Sequence, residues 1–285
     1  MRFLNFKQGN QRGLAVDDGA VFKGLLSSDA GFPGTLQSLL AQGPQALTEA
    51  AAALRAGPTI DLGTITYLPP IETPGRIWCI GLNYVDHSVE SGFAVPAYPA
   101  IFSRFAASMI GHGAPIVRPK VSTQLDYEGE MVAIIGKAGR HISKDKALEH
   151  VAGYSICNDA SIRDYQFKSA QWTIGKNFDD SGPFGPVFVT SDALPPGGAG
   201  LKIQTRLNGV VVQDASTSSL IFDVATLVSQ LSEAVCLQPG DVIVTGTPSG
   251  VGLARKPPLW MKHGDVCEIE IEGIGILRNP VVDES

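Results

Sequence analysis

Between Leu125 and Gly136 the chain places a carboxylate at every second position, Asp126, Glu128 and Glu130, and then turns apolar through Val132–Ile135 before Gly136. A β-branched run closed by glycine reads as a strand, and alternate side chains of a strand share a face. The three carboxylates therefore crowd together at the mouth of a buried strand. Like charges so placed repel, so either a cation sits among them or one carboxyl is protonated. An all-oxygen set favours a hard divalent ion, Mg²⁺, Mn²⁺ or Ca²⁺. An exposed edge strand with a solvated acidic face would carry the same pattern.

The 285 residues are enough to bury a large core, as one large domain or a domain plus a small one. A formal net charge of −6 gives no sign of nucleic-acid binding, and no apolar run approaches the ~20 residues that span a bilayer. Frequent glycine (32) and proline (19) argue for many turns and a β-rich body. The cysteines, Cys79, Cys157, Cys236 and Cys267, form no CxxC pair and sit beside apolar residues, which suits buried free thiols. Met1–Lys7 carries no signal-peptide core, so a reducing cytoplasm is the expected compartment.

Residues 1–72 read as a small N-terminal α+β domain and 73–285 as the domain that carries chemistry. In the first, strands at Arg2–Phe6 and Leu14–Val16 precede helices at Thr35–Ala41 and Ala46–Arg55, which Gly43-Pro44 separates. In the second, a buried strand at Arg76–Leu82 runs into His87 and Glu90, three apart and able to touch on a helical turn. An imidazole paired with a carboxylate is a usable general base, although solvated helix faces carry such pairs too. Residues 91–96 suit a loop that closes over a ligand, or an ordinary surface loop. Arg104 is a candidate for gripping an anionic substrate, or a surface arginine. Helices are expected at Lys144–Val151, with Ser143 as its cap, and at Phe222–Val235, with Asp223 as its cap. Asn208-Gly209 marks a hairpin. The loop from Thr245 to Gly252 lacks the signature of a nucleotide site and suits a small anion.

Taken in order, Gly81–Tyr84 with His87 and Glu90, Asp126–Glu130, Asn158-Asp159 with Arg163 and Gln166, Gly175-Lys176, and Thr245–Pro248 resemble the fumarylacetoacetate hydrolase superfamily over residues 74–282. The resemblance implies an α+β, β-rich fold, with a mixed-sheet β-roll catalytic domain of the C-terminal type found in that family, usually in a homodimer. It implies one Mg²⁺ or Mn²⁺, with Ca²⁺ as a possible substitute, on Glu128, Glu130 and Asp159, with Asp126 behind them. It assigns His87 and Glu90 to water activation on a lid, and Lys176 to polarising a substrate oxygen. Gln166, Thr247 and Tyr84 fall at substrate-contacting positions, with Arg104 beside them. Two departures stand out. Arg104 replaces a common lysine, and Gly129 replaces a branched residue between the two glutamates.

Together with these residues, the resemblance implies metal-dependent hydrolysis of the C3–C4 bond of a 2,4-dioxo acid, an acylpyruvate or fumarylpyruvate, to pyruvate and a carboxylic acid, in the catabolism of aromatic or sugar-acid compounds. The same metal site would also serve a decarboxylase, isomerase or tautomerase of oxaloacetate-like acids, or a hydratase of 2-oxo-pentenoate type. A small-molecule partner is expected, and neither nucleic acid nor membrane.

Overall fold

A computed structural model describes residues 1–90 and 96–285, with the side chains of 87–89 excepted. The expected closing loop and the His87 side chain therefore lie outside the described residues. The N-terminal part contributes β1 (Arg2–Gln8), β2 (Gln11–Asp17), β3 (Phe22–Leu26), α1 (Leu36–Gln42), α2 (Pro44–Arg55) and β4 (Thr66–Tyr67). Thr35 caps α1 by accepting from Ser38 N, and Pro44 opens α2, where its missing N–H costs nothing. Next come β5 (Ile77–Gly81), α3 (Val85–Glu90), β6 (Ala100–Arg104), β7 (Met109–Ile110), β8 (Ile116–Arg118), β9 (Leu125–Asp126), β10 (Gly129–Ile135), β11 (Val151–Asn158), β12 (Ser161–Ile162) and α4 (Arg163–Gln166). The chain ends with β13 (Gly182–Thr190), β14 (Lys202–Leu207), β15 (Val210–Ser216), α5 (Val224–Ala234), β16 (Val242–Val244), β17 (Val266–Ile271) and β18 (Gly275–Asp283).

The fold is α+β and sheet-rich. An eleven-stranded mixed sheet runs β3-β2-β1-β13-β11-β10-β16-β5-β6, with β4 on β1 and β7 on β13. A five-stranded sheet, β15-β14-β17-β18-β8, packs against it. The N-terminal strands extend the large sheet directly, because β1 pairs antiparallel with β13 (Arg2 opposite Val189).

β10 lies inside the large sheet, between β11 and β16, and not at an edge. Its apolar run is continuous because both faces are covered. Met131, Ala133 and Ile135 pack with Ile203, Ile269 and Ile271 of the second sheet and with Leu227 and Val228 of α5. Val132 and Ile134 pack with Leu36, Leu40, Leu47 and Leu54 from α1 and α2. Gly129 is glycine for want of space, since a Cβ there would lie 2.3 Å from Thr205 Oγ1.

Asp223 caps α5 through Thr226 N at 2.7 Å, and Val224, Leu227, Val228 and Leu231 form the buried stripe. Asn208-Gly209 joins β14 to β15. Two local expectations need correction. Lys144–His150 is a 3₁₀ helix whose Ser143 makes no side-chain cap, and Cys236 is exposed while the other three cysteines are buried and free. The three carboxylates from 126 to 130 also do not share one strand face. β9 ends at Asp126, and Asp126 pairs across to Ser161 of β12 before β10 begins at Gly129.

Candidate active site

The site forms where β10 begins and β11 ends. These strands are antiparallel, with Gly129 opposite Asn158 and Glu130 opposite Cys157. That register brings residue 128 beside residue 159: Asp159 N donates to Glu128 O at 2.9 Å, and Glu128 N donates to Asn158 Oδ1 at 2.9 Å. Glu128, Glu130 and Asp159 are buried, and one oxygen from each lies within 4.8 Å of the others. A hard divalent cation with bonds of about 2.1–2.5 Å spans such a separation.

Three cations meet four carboxylates here. Lys176, ending a 3₁₀ turn over Ile174–Lys176, donates from Nζ to Glu128 Oε2 and to Asp159 Oδ2, both at 2.6 Å. Arg163, opening α4, donates from Nε to Asp126 Oδ2 at 2.9 Å, and its Nη2 lies 2.6 Å from Glu128 Oε1. Arg104, ending β6, donates from Nη1 to Asp159 Oδ1 at 2.8 Å. Glu130 makes no ion pair among the described residues. It accepts instead from Gly246 N, whose φ of 106° aims that N–H at the carboxylate.

Burial pushes the Glu130 carboxyl well above its usual range, and the charges of Asp159 and Glu128 push it further. Asp159 is raised by burial against the pull of Lys176 and Arg104. Burial opposes the Lys176 charge, yet Asp159 and Glu128 outweigh it and raise the lysine, which stays an ammonium. An acidic excess held in low dielectric, all oxygen donors, is the chemistry that accepts a divalent cation.

A cavity of about 180 Å³ opens over these groups. Glu128, Glu130, Asp159, Arg163, Gln166, Lys176 and Thr247 form its polar wall, and Ile80, Phe102, Phe167, Trp172, Val251 and Leu253 its apolar one. Trp172 meets Phe102 edge-on at 5.5 Å, and Lys176 Nζ sits 5.0 Å from the Phe102 ring.

The structure brings together Glu128, Glu130, Asp159, Lys176, Gln166 and Thr247 from the sequence-derived set. Gln166 Oε1 accepts from Arg163 Nη1 at 2.8 Å. Thr247 Oγ1 donates to Gly129 O at 3.0 Å and accepts from Gln213 Nε2 at 2.8 Å. Glu90 accepts from Gly250 N through both carboxylate oxygens, 3.1 and 2.9 Å away, which docks α3 on the loop after β16. Asp126 stands behind the site, accepting from Gly252 N at 2.7 Å and Leu253 N at 2.9 Å as well as from Arg163.

Two substrate-contact expectations are corrected. The Arg104 side chain is fully buried beneath Asp159 and does not line the cavity, because the paired carboxylate draws it inward. Tyr84 does not line it either. It is buried, its backbone bridges to Leu220, and burial, then the Glu130 charge, push its hydroxyl pKa up.

Several supports have no local sequence signal. Asn83 clamps three segments, donating to Phe222 O at 3.0 Å and Thr245 O at 2.6 Å and accepting from Phe222 N at 2.7 Å. Gln213 accepts from Gly129 N at 3.0 Å while it orients Thr247. Asn83 falls just after β5, inside the Gly81–Tyr84 motif, and Gln213 lies between Val212 and Asp214 of β15, so neither position by itself shows which distant segment it holds.

A buried carboxylate trio with a lysine, mounted where the strands of a mixed sheet end, forms a candidate site for a metal ion. Residues 76–282 match the fumarylacetoacetate (FAA) hydrolase C-terminal family, and the chain belongs to that family. The mitochondrial oxaloacetate tautomerase fahd2 of Xenopus laevis is 40% identical over 289 residues, 99% of this chain and 90% of its own. A fumarylacetoacetate hydrolase from psychrophilic Exiguobacterium antarcticum superposes with a TM-score of 0.88 at 36% identity, over all of both chains. Maleylpyruvate hydrolase from Sphingobium sp. SYK-6, solved with manganese(II) and pyruvate, gives 0.80 at 27% identity, again over both whole chains.

Proposed function

We propose that the protein is a divalent-metal-dependent tautomerase that interconverts the keto and enol forms of an oxaloacetate-type 2-oxo acid. The observation that carries this reading is the 40% identity, along 99% of the chain, to a relative named oxaloacetate tautomerase. The cavity agrees with it. At about 180 Å³ it is smaller than the roughly 300–1,000 Å³ of drug-sized pockets and suits a short acid. Hydrolysis of a dioxo acid, the leading expectation from sequence, becomes the second reading, and it draws on the likeness to maleylpyruvate hydrolase.

Glu128, Glu130 and Asp159 would hold the cation. Bound there, it would supply positive charge that acidifies the C3–H of a 2-oxo acid. Ketone-to-enol conversion moves one proton from C3 and delivers one to the 2-oxo oxygen, with no other bond broken. The Lys176 ammonium faces the cavity where negative charge develops on the substrate, and a preorganised cation stabilises that charge. Gln166 gives its oxygen to Arg163, so its amide N–H₂ is the end left to donate to a substrate oxygen. The Thr247 hydroxyl is engaged with Gly129 and Gln213 and shapes the wall rather than donating. Glu90 rests on Gly250 N beside the cavity rather than in its wall, and with His87 of the same helix it would form the pair that takes the proton from C3 and returns it.

The test is a panel of acids with Mg²⁺ and with Mn²⁺. Tautomerase action changes the enol absorbance of oxaloacetate without releasing pyruvate. Release of pyruvate from acetylpyruvate or fumarylpyruvate would favour the hydrolase, and release from oxaloacetate would favour a decarboxylase.

A further inference from the structure

Arg104 sits at the end of β6, two residues after Phe102, so both point to the same side of the strand. Phe102 reaches the cavity wall, and Arg104 passes below it. The guanidinium is gripped from four directions. Nη1 donates to Asp159 Oδ1 at 2.8 Å and to Ala160 O at 3.0 Å, Nη2 donates to Ser181 Oγ at 2.8 Å, and Nε donates to Ser108 Oγ at 3.3 Å. Both serines are anchored in turn, Ser181 by donating to Phe178 O at 2.6 Å and Ser108 by donating to Phe105 O at 2.9 Å. Of these groups only Asp159 lines the cavity.

The consequence falls on Asp159. Its Oδ1 is occupied by a charged, planar donor, and only Oδ2 is turned toward Lys176 and the cavity. Glu128 is divided in the same way, with Oε1 against Arg163 and Oε2 toward Lys176. Glu130 has Oε2 on Gly246 N. In each carboxylate of the trio one oxygen is thus bound to a fixed donor behind the site, which leaves the other as the oxygen first offered to a cation in place of the Lys176 ammonium. Three carboxylates that each offer a single oxygen would suit Mg²⁺ or Mn²⁺, which need few protein oxygens and keep water on the rest. Ca²⁺ takes six to eight oxygens and commonly uses carboxylates bidentately.

We propose that Arg104 is a positioning residue that holds Asp159 to a single ligand oxygen and so tunes the cation site toward Mg²⁺ and Mn²⁺ over Ca²⁺. This rests on the reading of Glu128, Glu130 and Asp159 as cation ligands. Lysine at 104 keeps the charge but lacks the fork that binds Asp159, Ala160, Ser181 and Ser108 together. With it, Asp159 is free to rotate and to bind through both oxygens.

The experiment measures Mn²⁺ binding to the full chain by electron paramagnetic resonance, and Ca²⁺ by competition, for wild type, Arg104→Lys and Ser181→Ala. Loss of a partner behind a metal ligand costs about 10–100-fold in affinity. Arg104→Lys should lose Mn²⁺ affinity by that much while Ca²⁺ binding falls less, so the preference for Mn²⁺ narrows by about tenfold or more. Ser181→Ala, which frees one end of the guanidinium, should shift the ratio the same way by less. An Arg104→Lys protein in which both ions weaken equally, or neither does, overturns the proposal, because a purely structural role would leave the ratio unmoved. If that variant fails to fold, an unchanged ratio in Ser181→Ala overturns it. A wild type that binds neither ion overturns the underlying cation-site reading instead.

Discussion

Arg163 donates from Nη1 to Gln166 Oε1 at 2.8 Å, and because a guanidinium has no acceptor, this contact fixes which end of the amide is left for a substrate. The same arginine reaches Asp126 and Glu128, so the amide and a carboxylate of the trio share one brace. Gln166→Glu keeps the contact to Arg163 and removes the donor. Loss of a hydrogen bond to a charged group is worth about 1.5–3 kcal/mol. The KM for oxaloacetate should rise by roughly 10–100-fold, with Mn²⁺ binding unchanged, as read by steady-state kinetics beside direct metal titration.

Lys176 is the charge that meets the developing oxyanion in this account. Lys176→Met should lower kcat by about 10²–10³-fold, the usual cost of removing one preorganised donor. Mn²⁺ affinity should hold or rise, because the ammonium that competes for Glu128 Oε2 and Asp159 Oδ2 is gone. A fall in metal affinity with kcat intact would assign the lysine to the cation site alone.

Glu90→Gln keeps an oxygen for Gly250 N and so should preserve the docking of α3. A positioned proton carrier contributes about 10²–10⁴-fold, and the variant should lose rate on that scale while retaining metal. Near-wild-type turnover would remove Glu90 from the proton path.

His112 is half-buried, packs at a tilt against Tyr67 with ring centroids 4.6 Å apart, and accepts from Arg278 N through Nδ1 at 3.1 Å. Burial, and then the Arg278 charge, depress its pKa below the ordinary value. The unfolded chain then binds the proton more readily than the folded one. Its stabilising contribution is present above about pH 6.5 and is lost as pH falls toward the depressed folded value. Melting temperatures should drop across that window in wild type, and His112→Phe should flatten that part of the slope at some cost in stability at neutral pH.

How much of this was legible depends on where each partner lies. The cap of α5 needs only Asp223 and Thr226, and the break between α1 and α2 only Gly43-Pro44, so local rules reach them. Only the family resemblance groups Asp159 with Glu128 and Glu130, and no local pattern does, since strand pairing is what brings residue 159 beside residue 128. From sequence Arg104 reads as a grip on an anionic substrate or as a surface arginine, and it is neither, because its direction depends on Asp159 and Ser181, 55 and 77 positions away. The alternation rule failed at Asp126 because β9 ends there, and two backbone N–H groups of a distant loop then hold its carboxylate. The pairing of β1 with β13 is likewise a register between Arg2 and Val189 that no short segment encodes.

The most direct measurement follows the enol absorbance of oxaloacetate freshly dissolved in its enol form, with wild-type protein, with and without Mn²⁺, while pyruvate is assayed in the same sample. The protein should accelerate the approach to the keto–enol equilibrium when metal is present, reaching the same end point as the uncatalysed sample and forming no pyruvate beyond that of a metal-only sample. An unaccelerated approach, together with metal-dependent pyruvate release from acetylpyruvate or fumarylpyruvate, would contradict it and make the protein a C–C hydrolase.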